Sequence, residues 1–147
     1  MPYTYKYPRP ALTVDAVVFR IEKNELQVLL IKRKNPPFEG MWALPGGFVN
    51  MDETLEEAVV RELKEETGIT FREMKQLKAY SAINRDPRHR TVSVAFWGVV
   101  NKPQKPVAGD DAANAKWFST KLLPPTAFDH FEIISDAVKT FLNEKNL

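Results

Sequence analysis

The chain has no cysteine, which excludes disulfides and thiol catalysis and suits a reducing cytoplasm. No apolar run approaches the roughly 18 residues that a membrane helix requires, and the N-terminal MPYTYKYPRP lacks the hydrophobic stretch of a secretory leader. The reading is a soluble, cytoplasmic protein with no membrane partner. Its two histidines, His89 and His130, stand too far apart in sequence to suggest a metal site, and no Ser-His-Asp arrangement is evident. Basic residues form no long block, and helix-turn-helix and zinc patterns are missing; no nucleic-acid partner is expected. At 147 residues the chain is predicted to be a single domain, 1–147, around one core.

What the chain does have is an uneven charge distribution. The formal net charge is +2, yet residues 52 to 66 hold seven acids (Asp52, Glu53, Glu56, Glu57, Glu62, Glu65, Glu66) against two bases, Arg61 and Lys64. The remainder carries 19 bases and 12 acids. An acidic segment inside a basic remainder suits a metal bound beside a phosphate-bearing ligand.

That segment predicts a helix. Thr54-Leu55-Glu56-Glu57 is a capping box and Gly68 supplies a left-handed end, about 13 residues and roughly 20 Å apart. Leu55, Val59 and Leu63, widened by Ala58 and Val60, form the stripe that faces a core. Glu62, Glu65 and Glu66 fall at i, i+3 and i+4, which gathers three like charges on one face at a cost in repulsion. A solvated acidic face is one reading. The preceding Gly46-Gly47 favours the other, a cation site, because bare backbone lets a ligand approach closely. Oxygen ligands of high charge point to Mg2+ first and Mn2+ second.

Elsewhere, Leu12 to Ile21 and Leu26 to Lys32 are β-rich and joined by Glu22-Lys23-Asn24-Glu25, which predicts a hairpin. Trp42-Ala43-Leu44 follows a loop, and Pro45-Gly46-Gly47 is expected to break the next strand. Leu77 to Ile83 and Thr91 to Val100 read as strands, Asn101 to Ala115 as a loop, and Lys116 to Ser119 as a short strand. From His130 to Leu142, Phe131, Ile134, Val138 and Phe141 keep helical spacing. Strands broken by one helix and closed by another predict an α/β fold with a mixed sheet between helices.

The stretch from Gly47 to Ile69 reads G-x5-E-x7-R-E-L-x-E-E-x-G-I and resembles the signature of Nudix hydrolases, whose fold is an α/β/α sandwich with a mixed central sheet. Three further stretches are similar to short, single-domain ADP-ribose pyrophosphatases. They are Asn35-Pro36-Pro37-Phe38 leading to Trp42-Ala43-Leu44-Pro45-Gly46-Gly47-Phe48-Val49, Arg85-Asp86-Pro87-Arg88 ahead of Thr91-Val92-Ser93-Val94, and Gly109-Asp110-Asp111-Ala112 before Ala115-Lys116-Trp117-Phe118. The resemblance implies metal-dependent cleavage of ADP-ribose to AMP and ribose 5-phosphate. Glu62, Glu65, Glu66 and the carbonyl of Gly47 would hold the metal, with Glu53 and Arg61 pairing to orient them.

Several roles stay open at this point. The general base is Asp111 or its neighbour Asp110, from a loop that also reads as an ordinary turn, or Glu62 within the box. Arg88 is either a contact to phosphate or ribose or a solvated turn residue. Arg33 has the same choice, with strand-edge charge as its other reading. Gly46 and Gly47 would line the substrate. Trp42 and Phe38 offer a stacking surface for adenine, or are simply core. Two rival functions remain, a pyrophosphohydrolase of nucleoside triphosphates or other nucleotide sugars, and a non-catalytic nucleotide sensor. The sensor is disfavoured by an intact box and by a chain that ends 30 residues past Trp117 without a DNA-binding segment. A homodimer is possible, without N-terminal exchange.

Overall fold

The computed structural model describes residues 2–101, 106 and 112–145. The first strand, β1 (Ala11–Glu22), is the hub of a seven-stranded sheet. It pairs antiparallel with β2 (Glu25–Arg33) and β4 (Gly46–Phe48), and parallel with β6 (Thr91–Val99). On the outer edges, β3 (Trp42–Ala43) and β7 (Ala112–Ser119) pair with β2, and β5 (Lys75–Tyr80) pairs with β6. One parallel pairing among antiparallel ones makes the sheet mixed, as expected. The β1–β2 hairpin turns on Lys23 and Asn24, at φ 52° and 64°, the two positive values that a tight twisted hairpin demands.

Alternation along β1 divides the core in two. Val14, Ala16 and Val18 join Leu29, Val94 and Phe96 beneath α1 (Leu55–Thr67), which contributes Ala58, Val59 and Leu63. Val17 and Phe19 point the other way, with Val28, Leu30, Ala95 and Trp97, toward Ile133, Ile134 and Ala137 of α2 (His130–Lys145). A strand buried on both faces is uniformly apolar, which is why VDAVVF (14–19) admits one polar residue, Asp15. Burying a side chain such as Phe19 or Leu63 completely contributes about 1.5–3 kcal/mol, and both are fully buried. The result is the α/β/α sandwich.

Helix α1 begins and ends where its caps predict. The Thr54 side chain accepts the Glu57 N–H, Glu57 answers at the Thr54 N–H, and Gly68 closes the helix at φ 74°. Three expectations need correction. Gly46-Gly47 does not break a strand but forms β4, paired with Val14 and Asp15; long-range pairing overrides the low strand propensity of glycine. The last strand starts at Ala112 rather than Lys116, carried by pairing with β2 out to Arg33. Phe131 lies off the buried face of α2 and is 62% exposed; the buried stripe runs through Ile133, Ile134 and Ala137 instead. The strand expected at 77–83 is present with shifted bounds, at Lys75–Tyr80. Among the described residues no helix is long and apolar enough to cross a membrane.

Candidate active site

A cleft of about 450 Å³ opens where β4, α1, the β2 end and the loop after β5 meet. Two glycines shape its acidic wall. A Cβ on Gly47 would sit 2.6 Å from the Glu62 carboxylate, so the carboxylate occupies the space that glycine leaves open. Next to it, the Gly46 N–H donates to Glu66 Oε1 at 2.7 Å, a charge-assisted bond that fixes a carboxylate only 8% exposed. The strand and the helix thus hold each other through groups that no core contact would require.

Arg61 organises the acids around this wall. Its Nε and Nη2 donate to the two oxygens of Glu53 at 2.9 and 2.6 Å, and Nη2 also reaches the Phe48 carbonyl at 3.1 Å. Its Nη1 donates to Glu62 Oε1 at 2.8 Å and Glu65 Oε1 at 3.0 Å. Arg61 and the Asn50 N–H hold the Glu53 carboxyl down to about 2. Burial pushes Glu62 the other way, above the usual carboxylate range, against the opposing pull of Arg61. The same arginine therefore bonds one carboxylate that is kept charged and another that burial makes a better proton acceptor.

The same cleft is lined by cations. Arg33, Lys34 and Arg88 line it together with Phe48 and Phe128. Arg33 is not a solvated edge charge: its Nε donates to the Pro37 carbonyl at 2.7 Å and its guanidinium lies 5.0 Å from the Phe128 ring. Burial, then the nearby charge of Arg88, lower its pKa. Arg88 donates through Nε and Nη2 to both oxygens of Asp86, at 3.0 and 2.8 Å, and sits 5.7 Å from the Phe48 and Phe128 rings. Burial pushes the Asp86 carboxyl up, but the Arg88 side-chain and backbone bonds outweigh it and bring the value down to about 2. A solvated turn needs no such anchoring.

Of the residues singled out in the sequence, the cleft brings together Gly46, Gly47, Glu62, Glu66, Arg33 and Arg88. Glu53 and Arg61 stand beside it and meet as expected. Glu65 does not line it; its side chain is 51% exposed and turned to Arg61. Among the described residues no three acidic or histidine side chains stand close enough together to hold a metal as they are. Trp42 is a correction, since its ring meets Phe118 at 4.7 Å in the α2-side core and stays out of the cleft. Phe38 packs edge-on against Phe128. Asp110 and Asp111 lie outside the described residues.

The cleft also contains residues that the sequence reading passed over: Asp15, Arg85, Asp86 and His130. Only Asp15 carried a local signal, a lone carboxylate in an apolar strand. Arg85 donates twice to Asp129, at 2.9 and 2.6 Å.

Known proteins share this arrangement at the level of chain and fold. The family model of the NUDIX domain matches residues 9–137. An ADP-ribose pyrophosphatase of Methanocaldococcus jannaschii is 49% identical over 134 residues, which cover 90% of this chain and 76% of that protein. An ADPR responsive transcriptional repressor of Acinetobacter baylyi is 33% identical over 142 residues, 94% of this chain; this chain spans 57% of the repressor. Among solved structures, the NUDIX domain of Shewanella oneidensis NrtR complexed with ADP ribose superposes with a TM-score of 0.87 at 35% identity, covering 95% of this chain and 94% of that one. With the family model matching most of the chain and a 49% identical relative matching 90% of it, this protein belongs to the Nudix hydrolases.

Proposed function

We propose that the chain hydrolyses the pyrophosphate bond of ADP-ribose, giving AMP and ribose 5-phosphate, with Mg2+ as its metal and Mn2+ as a substitute. The observation that carries this reading is the mixed charge of the cleft, which is lined by Glu62 and Glu66 and also by Arg33, Lys34 and Arg88. A divalent cation and a pyrophosphate together satisfy both sets of charges, and neither does so alone. The 49% identical pyrophosphatase and the 35% identical domain bound to ADP ribose support the choice of substrate.

The residues present fit a hard cation. Their donors are oxygens, and the Glu62 carboxylate rests against Gly47 in a space that any Cβ would fill. Glu62, Glu66 and the Gly47 carbonyl would hold the ion, with Glu65 joining from the edge. When bound, the cation neutralises charge on the pyrophosphate oxygens and makes a coordinated water more acidic.

The chain's own groups do the rest. Arg61 keeps Glu62 and Glu65 aimed together, and Glu53 keeps Arg61 in place. Arg88, anchored by Asp86, retains further N–H donors for phosphate or ribose oxygens, and Arg33 supports the same end. The proton of the attacking water goes to a carboxylate within hydrogen-bond reach, Asp111 or its neighbour Asp110, with Glu62 as the rival within the box. The attack breaks one P–O bond of the bridging oxygen, and the two phosphates leave as monoesters.

The test is hydrolysis with Mg2+ and with EDTA over ADP-ribose, NADH, diadenosine polyphosphates, sugar nucleotides and nucleoside triphosphates, with products separated. AMP and ribose 5-phosphate formed fastest from ADP-ribose support the reading. Pyrophosphate released from a triphosphate, with ADP-ribose untouched, replaces the substrate. Tight ADP-ribose binding without turnover would favour a sensor, the role named for the 33% identical repressor.

A further inference from the structure

The cleft also holds a buried polar group to which the proposed hydrolysis assigns no role. His130 opens α2 and is 4% exposed. Its Nδ1 accepts the N–H of Leu44 at 3.0 Å, and its Nε2 lies 3.4 Å from Asp15 Oδ1. A ring nitrogen that accepts an N–H carries no proton, so the imidazole is neutral and its one proton sits on Nε2, facing the carboxylate. An imidazolium would set two donors against each other at Leu44, which is itself 2% exposed.

Asp15 is held from its other side as well. Ser93 donates to Oδ2 at 2.5 Å, and the Arg85 guanidinium stands 4.0 Å away. Burial works against the charged form of Asp15, while the hydrogen bonds of His130 and Ser93 and the charge of Arg85 favour it. Arg85 is in turn locked to Asp129, the residue before His130. The group therefore ties β1, β6, the loop after β5 and the start of α2 to the backbone at Leu44.

That backbone leads directly into the acidic wall. Two residues after Leu44, Gly46 pairs with Asp15 in the sheet, and a Cβ on Gly46 would lie 2.7 Å from Asp15 Oδ1. The Gly46 N–H is the donor that fixes Glu66. A shift at Leu44 is passed to Gly46 and then to the Glu66 carboxylate.

We infer that His130 is a positioning residue of the hydrolytic site: as a neutral imidazole protonated on Nε2, it clamps Leu44 to Asp15 and so holds the Gly46 amide where it fixes Glu66. The inference rests on the reading of Glu66 as a carboxylate of that site. It does not depend on which pyrophosphate is the substrate.

Two measurements on the full chain test it. Long-range 1H–15N correlation at about pH 7, with His130 assigned by its loss in His130→Asn, is expected to show Nδ1 unprotonated and Nε2 protonated. A proton on Nδ1 overturns the clamp, whatever the enzyme hydrolyses. The second is kinetic, on the substrate turned over fastest. Replacing His130 with Leu removes the acceptor and is expected to lower kcat about 10- to 100-fold with KM little changed, and to speed hydrogen exchange at the Leu44 amide. His130→Asn, which keeps an oxygen toward Leu44, is expected to recover most of the loss and the slow exchange. Equal losses in both variants, or a change confined to KM, contradict the inference. If His130→Leu does not fold, the tautomer and the behaviour of His130→Asn still decide it. Failure of ADP-ribose as substrate alters the proposed activity and leaves this result standing.

Discussion

The Arg61 guanidinium meets the Glu53 carboxylate through two parallel bonds, Nε to Oε2 at 2.9 Å and Nη2 to Oε1 at 2.6 Å. Glu53 lies before the N-terminus of α1 and Arg61 in its second turn, so the pair fixes the rotation of the guanidinium whose remaining nitrogen holds Glu62 and Glu65. Lysine cannot reproduce that fork. Arg61→Lys is expected to lower kcat by about 10- to 100-fold while thermal unfolding stays cooperative. Wild-type kcat in this variant would show that the two acids need no guanidinium to be placed.

The same pair makes stability depend on pH in a definite direction. Glu53 is brought from an ordinary 4.5 down to about 2, so its charge favours the folded state at neutral pH. That contribution is complete above the ordinary value and fades as pH falls from 4.5 toward 2. Melting temperatures of the wild type and Glu53→Gln should therefore differ at about pH 7 and converge only as pH falls to about 2. A gap that stays constant over this range would contradict the assignment.

Adjacent glycines should respond differently to alanine. On Gly46 the added methyl would meet the Val14 carbonyl oxygen at 2.1 Å. This backbone cannot swing aside, so Gly46→Ala should destabilise the fold by about 1–3 kcal/mol. On Gly47 the clash is with the Glu62 carboxylate, a side chain that can move. Gly47→Ala should keep its melting temperature and lose most of its turnover. Denaturation curves and kcat for the two variants separate these outcomes; equal losses of stability would show that Glu62 is as rigid as the strand.

Arg88 is anchored by Asp86 and lines the same cleft as Glu62 and Glu66. If it binds the ground state and the transition state alike, Arg88→Lys raises KM for ADP-ribose by about tenfold and leaves kcat nearly unchanged. Steady-state kinetics decide this. A drop in kcat at constant KM would place Arg88 at the reacting phosphorus instead.

What the sequence revealed follows the range of the forces involved. Helix α1 was legible to the residue because Thr54, Glu57 and Gly68 act within one turn of its ends. The acidic wall was legible because its carboxylates share that helix. By contrast, β4 and the early start of β7 depend on pairing with β1 and β2, which no local window contains. Phe131 keeps helical spacing, yet the buried face is set by the angle at which α2 crosses the sheet. His130 and Leu44 are 86 residues apart, and a single histidine gives no hint of its partner. Asp15 was the exception: a carboxylate inside an apolar strand must find hydrogen bonds, and its partners turned out to be Ser93, His130 and Arg85.

The central claim is that the carboxylates held over Gly46 and Gly47 form the metal-dependent hydrolytic site. Its most direct test is the turnover of ADP-ribose by Glu66→Gln against the wild type, at saturating Mg2+ and with folding checked by thermal melting. Removing a charged ligand without changing its size should lower kcat by about two orders of magnitude or more, with a melting temperature equal to or above the wild type as repulsion on the helix face is relieved. Turnover at the wild-type rate in a folded Glu66→Gln protein would contradict the account and move the chemistry away from this wall.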